Sequence, residues 1–143
     1  MAIQVSGTQV IGNSRDLTNI ASVDATTVTA LENAGVGASG VFSFTASGSI
    51  SAGKPVILNT NGTVSQVSGN LTATNFVGMS TASYTSGQTA KITTKGGVNE
   101  SQSGLTVGVP LYVQSNGTLS TSPGTPSVYA GLSLSATKIL VRG

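Results

Sequence analysis

The sequence predicts an all-β protein, a compact barrel or sandwich built from a tandem-duplicated hairpin unit, with an extended N-terminal arm in front of it. Three observations predict it. From Val41 onward, short β-type runs alternate with turn signals at regular intervals, as in all-β barrels and sandwiches. The stretch Ala52 to Ser65, AGKPVILNTNGTVS, recurs from Val107 to Ser120 as VGVPLYVQSNGTLS. Residues 1 to 40 instead scatter their apolar side chains, with no sustained period of 3.6 or 2.

The first element is therefore an arm, extended or partly paired, running over residues 1–40. Within it, residues 26–34 have the ends of a short helix, Asp24 as a cap and Gly35 as a stop, but their run of Thr and Val weighs against one. Gly35 to Gly40 formally matches the dinucleotide fingerprint G-x-G-x-x-G. A β-like Val-Phe-Ser-Phe-Thr follows it where a helix is required, and no acidic residue lies between Glu32 and Glu100. The segment reads as a hinge.

The β part, 41–143, has strands expected near 41–46, 55–59, 63–67, 75–80, 89–95, 110–114, 117–121, 128–133 and 137–142. Pro55 and Pro110 each open a strand, where no ladder donor is needed. Asn61-Gly62 and Asn116-Gly117 sit between β-runs as hairpin turns. Gly78 and Gly131 fall inside apolar strands, which suggests a bulge or a close backbone approach at equivalent places. The offset between copies falls from 55 (Gly53 to Gly108) to 53 (Phe76 to Tyr129) to 47 (Lys91 to Lys138), as loops of different length would produce. Copy one covers about 50–96 and copy two about 105–143, joined near Gly96-Gly97 and Ser103-Gly104.

Composition narrows the function classes. Charged residues are 7% of the chain, against about a quarter in ordinary domains, and the net charge of +2 makes no basic stripe for a phosphate backbone. Nucleic acid is not an expected partner. The chain has no Cys, His or Trp, so it lacks thiol nucleophiles, imidazole bases and the usual soft metal ligands, and no cofactor or metal site is expected. Its four carboxylates are Asp16, Asp24, Glu32 and Glu100, three of them in the arm, a poor basis for paired acid–base work; no catalytic residue is assigned. The beginning of the chain lacks a basic segment followed by an apolar run, and no stretch of about 18 apolar residues occurs, so neither a secretory leader nor a membrane partner is expected. The four glycosylation sequons, at Asn61, Asn70, Asn99 and Asn116, are expected by chance in so Asn/Ser/Thr-rich a chain. With three Phe and three Tyr the core is thin, which favours association with neighbouring chains.

The stretch from Ser49 to Val141 resembles a repeat on the outside of tailed-bacteriophage virions, in head-decoration (cement), head-fibre and tail-fibre proteins. The resemblance rests on Ile-Ser-Ala-Gly-Lys-Pro-Val at 50–56, Asn-Gly-Thr-Val at 61–64, Phe-Val-Gly-Met-Ser at 76–80 and Gly-Gly-Val at 96–98. It continues in Ser-Gly-Leu-Thr-Val-Gly-Val-Pro-Leu-Tyr-Val at 103–113, Gly-Thr-Leu-Ser-Thr-Ser-Pro at 117–123 and Ala-Gly-Leu-Ser-Leu-Ser-Ala-Thr-Lys-Ile-Leu-Val at 130–141. Residues 7–20 also look like segments of phage fibre proteins, including those of cyanophages, although the chain has no long repetitive shaft.

What the resemblance implies is a non-enzymatic decoration protein, a homotrimer on the outer capsid surface that binds the major capsid protein and stabilises the shell. The alternative it leaves open is a tail-fibre or head-fibre module that recognises the host surface, with Tyr84 and Tyr112 as first candidates for stacking on sugar. In the decoration reading the arm clamps neighbouring capsomers, its anchoring side chains being Ile3, Val5, Val10, Ile11, Leu17 and Ile20. Fully extended, about 34 residues reach on the order of 110 Å.

Overall fold

The computed structural model describes residues 3–5, 8–11 and 40–143. The chain divides into two compact units, Met1–Ala38 and Ser39–Gly143. The described residues form twelve strands and no helix. In the first unit β1 (Ile3–Val5) pairs antiparallel with β2 (Thr8–Ile11). In the second, β3 (Val41–Thr45), β4 (Pro55–Leu58), β5 (Val64–Gln66), β6 (Phe76–Ser80) and β7 (Thr89–Thr94) make a first sheet in the order β3-β7-β6-β4-β5. β8 (Val98–Asn99), β9 (Pro110–Val113), β10 (Leu119–Ser120), β11 (Val128–Ser135) and β12 (Lys138–Val141) make a second, in the order β8-β12-β11-β9-β10. The fold is all-β, and its two antiparallel sheets do not close into a barrel.

Written from β3 and from β8, the two strand orders are the same. Each of the nine strands expected from the sequence corresponds to one of these ten; the tenth is β8, two residues after a Gly-Gly, too short to show a period of its own. Its pairing defines its counterpart: Asn99 lies opposite Ile139 as Phe42 lies opposite Ile92, so β8 answers β3 and the structural unit begins there.

The turns and bulges repeat as well. In each hairpin Asn-Gly-Thr closes the loop: Gly62 N–H donates to Asn59 O at 3.0 Å and Gly117 N–H to Gln114 O at 2.9 Å, while Thr63 and Thr118 donate through backbone and hydroxyl to Oδ1 of Asn61 and Asn116. The loop is thus one residue longer than a two-residue Asn-Gly turn, with the glycine taking the left-handed position (φ +80° and +79°) that an L side chain resists. In both copies the β4–β6 or β9–β11 ladder shifts register beside Gly78 or Gly131. A Cβ on either glycine would collide with a neighbouring strand carbonyl, Thr93 O or Leu140 O. Ser80 and Ser133, both buried, make matching locks two residues beyond these glycines. Ser80 Oγ donates to Ser51 O and accepts from Lys54 N–H at 3.0 Å; Ser133 Oγ donates to Thr106 O and accepts from Val109 N–H at 3.2 Å.

The two sheets stack with unlike faces. Ile57 and Met79 of the first sheet join Leu111, Val113, Val128, Ala130, Ile139 and Val141 of the second in one buried cluster, with Val67, Leu71 and half-buried Phe76 at its edge. The opposite face of the first sheet, Val56, Val64, Ala90 and Ile92, is covered by the β3–β4 crossover through Ala46 and Ile50. Asn99 pins the seam. Buried on β8, it donates to Ser80 O at 3.0 Å and Thr93 Oγ1 at 3.1 Å in the first sheet, and accepts from Ser101 N–H at 3.1 Å and Gln102 Nε2 at 2.8 Å.

Two stability predictions follow from these contacts. Gly62 and Gly117 have the same φ, but a Cβ at Gly62 meets open space and one at Gly117 meets Val67 O. Gly62→Ala should cost about 1–2 kcal/mol for the left-handed backbone, and Gly117→Ala a further ~1–3 kcal/mol for the collision; equal losses in urea unfolding would contradict this account. Asn99→Ala strips the buried Thr93 hydroxyl and the part-buried Ser101 N–H of a partner and should cost about 2–3 kcal/mol in the same assay.

Candidate functional site

The residues expected to anchor the arm fall in two groups. Ile3 and Val5 lie on β1 and Val10 and Ile11 on β2, with Ile3 opposite Ile11 and Val5 opposite Thr8. Leu17 and Ile20 lie outside the described residues, as do the helix considered at 26–34 and the hinge up to residue 39. The first strand turns back along the second, so residues 3–11 do not add their full length to the reach of an extended arm. The backbone hydrogen bonds of this pair are partly met within it, which is the physical reason a fully extended run is not formed there.

Sequence reasoning singled out Tyr84 and Tyr112, and the structure separates them. Tyr84 exchanges backbone hydrogen bonds with Ile50 at 2.9 and 2.8 Å and packs against the crossover core, its hydroxyl 2.9 Å from Thr81 Oγ1. Tyr112 stands on the outer face of the second sheet, its ring centroid 5.5 Å from that of Tyr129 at an interplanar angle of 57°. Register places Leu132, Leu140, Pro110 and Val98 on that same face, in a continuous ladder across β9, β11, β12 and β8. All are half-exposed or exposed. This apolar face is the most distinctive surface of the β unit.

Its members, Tyr112 excepted, were not singled out from the sequence. The signal was nevertheless present in the repeat: Tyr112, Tyr129, Leu132 and Leu140 occupy the positions of Ile57, Phe76, Met79 and Thr93 in copy one. What the alignment alone does not say is that the copy-one set is buried and the copy-two set is open.

A cleft of about 380 Å³ lies between the turn at 52–55 and the loops at 101–105 and 117–119. Lys54, Gln102, Leu105 and Thr118 are among its walls. Gln102 Nε2 donates to Gly53 O at 2.9 Å, and the Ser101 hydroxyl donates to Thr81 O at 2.6 Å, so these polar groups hold the two copies together. Glu100, the carboxylate among the described residues, pairs with Lys138 at 2.6 Å on the surface. Among the described residues no group of three or more acidic or metal-ligating side chains converges, and no helix is long and apolar enough to cross a membrane.

The sequons reduce to structure. Asn61 and Asn116 cap the hairpin turns, Asn70 Oδ1 accepts from Ser68 N–H at 2.8 Å, and Asn99 is buried in the seam with its amide fully engaged. No protein-family model matches the chain, and no curated protein matches it.

Proposed function

We propose that the protein is a structural, non-enzymatic virion component that decorates a phage capsid on its outer surface, binds the major capsid protein and stabilises the shell. The observation that carries this reading is the apolar outer face of the second sheet, Tyr112, Tyr129, Leu132, Leu140 and Val98, in a unit built from two stacked copies of one sheet. Contiguous apolar surface on a small protein marks a site of association. The sequence resemblance over 49–141 supplies the virion setting.

In this reading the β unit sits over junctions between capsid subunits as a homotrimer, and the N-terminal arm ties it to the shell. Backbone pairing by the arm and burial of Ile3, Val5, Val10, Ile11, Leu17 and Ile20 supply the attachment, multiplied over symmetry-related copies. A second reading, a fibre module that recognises the host surface, is favoured by one feature: the Tyr112–Tyr129 pair offers aromatic surface on an exposed face, as sugar-stacking sites do.

Purified protein mixed with heads that lack it should add saturably at fixed lattice positions, as seen by sedimentation and electron microscopy. Deleting residues 1–22 should abolish that addition while leaving a β unit that melts cooperatively. Normal decoration by the truncated chain would exclude the arm as the anchor. Binding to host cells with no addition to heads would replace the decoration reading with the fibre one.

A further inference from the structure

The two sheets inside the chain are joined by a face-to-back packing whose two halves both recur at the ends of the β unit, open on the second sheet and open at Phe42 and Leu58 on the first. The first sheet contributes Ile57 (3% exposed), Met79 (0%) and Thr93 (1%) to the seam. Their counterparts on the second sheet are Tyr112, Leu132 and Leu140, all half-exposed, beside Val98 at 41%. From the other side, the second sheet contributes Val113 (0%) and Asn99 (1%), whose counterparts on the first sheet are Leu58 at 44% and Phe42 at 60%. The seam-buried positions of the first sheet are thus open on the second, and those of the second are open on the first at Phe42 and Leu58, while Val56 and Ile92, the counterparts of Leu111 and Ile139, lie beneath the crossover.

We propose that copies of this chain join head to tail, the outer face of the second sheet in one copy seating on the outer face of the first sheet in the next, as a repeat of the packing inside the chain. The occupant of the Tyr112–Leu132–Leu140 face is thus the Phe42–Leu58 face of a second copy. The argument is continuity with an existing interface: the same folding unit already shows how these two faces fit. It also explains why large apolar side chains, Phe42 and Leu58, stand open on a sheet whose crossover covers its remaining apolar positions through Ala46 and Ile50. Unlike faces make the contact heterologous, so assembly closes into a ring if the rotation per chain closes, and otherwise grows as a filament. The inference rests on the reading of the chain as a decoration protein that acts as an oligomer and names the surfaces that join its copies.

The test needs no capsid, so failure to self-associate and failure to decorate heads are separate results. In sedimentation velocity the full chain should run as an assembly of several copies. Leu132→Lys removes one end of every junction and Phe42→Lys the other, so each variant alone should run as a single chain. Mixed one to one, they retain one intact end of each kind and should form a two-chain species that grows no further. Val98→Lys and Leu58→Lys, at more exposed positions than Leu132, repeat the pair where a fold defect intervenes, and melting curves matching the unsubstituted chain establish that the variants are folded.

Three results would overturn the proposal. One is an unsubstituted chain that stays single at the highest concentration reached. Another is normal assembly of Phe42→Lys, which would mean that like faces pair. The third is a mixture of folded variants that stays single-chain.

Discussion

The face of the first sheet that carries Ile57, Phe76 and Met79 lies against Leu111, Val113, Ile139 and Val141 of the second, and this seam sets the terms for the rest of the β unit. The first sheet buries one face under its own crossover, but the Ile57–Met79 face and the inner face of the second sheet are buried against each other. A sheet of five short strands must lay at least one face on another layer to remain folded in water. Duplication supplies that layer from the same chain.

Because the two copies meet with unlike faces, equivalent positions experience different surroundings, and the residues have diverged accordingly. Phe42 in copy one is Asn99 in copy two. The second position faces the hydroxyl of buried Thr93 and the carbonyl of Ser80, which also accepts from Gly53 N–H; a phenyl ring there would take away the Thr93 hydroxyl's partner, and an amide supplies it. Met79 in copy one is Leu132 in copy two, both apolar, one sealed and one half-exposed. Gly62 and Gly117 keep the same turn, yet only the second touches the other copy, at Val67 O. What has stayed constant is what each copy needs internally: the Asn-Gly-Thr loop, the glycine at the bulge and the serine lock at Ser80 or Ser133.

The proposed function rests on surfaces more than on a pocket. The polar groups beside the cleft, Gln102 and Ser101, are spent on the Gly53 and Thr81 carbonyls that clip copy two to copy one. The half-exposed tyrosines, leucines and valine of the second sheet have no such internal use. Association energy from such a face scales with the apolar area removed from water, so it is realised only when a partner of matching shape arrives.

Much of this was legible in the sequence. Strand positions followed from alternating runs bounded by Gly, Pro and Asn, and the equivalences Gly78–Gly131 and Asn61–Asn116 followed from the repeat, because turn and bulge chemistry is local and is dictated by which residues tolerate a left-handed or crowded backbone. The barrel-or-sandwich choice, the two-residue strand at Val98, and the pairing of β1 with β2 were not legible, since each depends on which segments meet across long separations. Least legible was which face of each copy would be covered. Residue order alone specifies two similar sheets with apolar side chains on both faces; it takes the packed molecule to show that the Met79 face is sealed while its counterpart at Leu132 stays open, because burial depends on what stands opposite a residue, and the outer face of the second sheet, unlike that of the first with its crossover, has no layer laid over it.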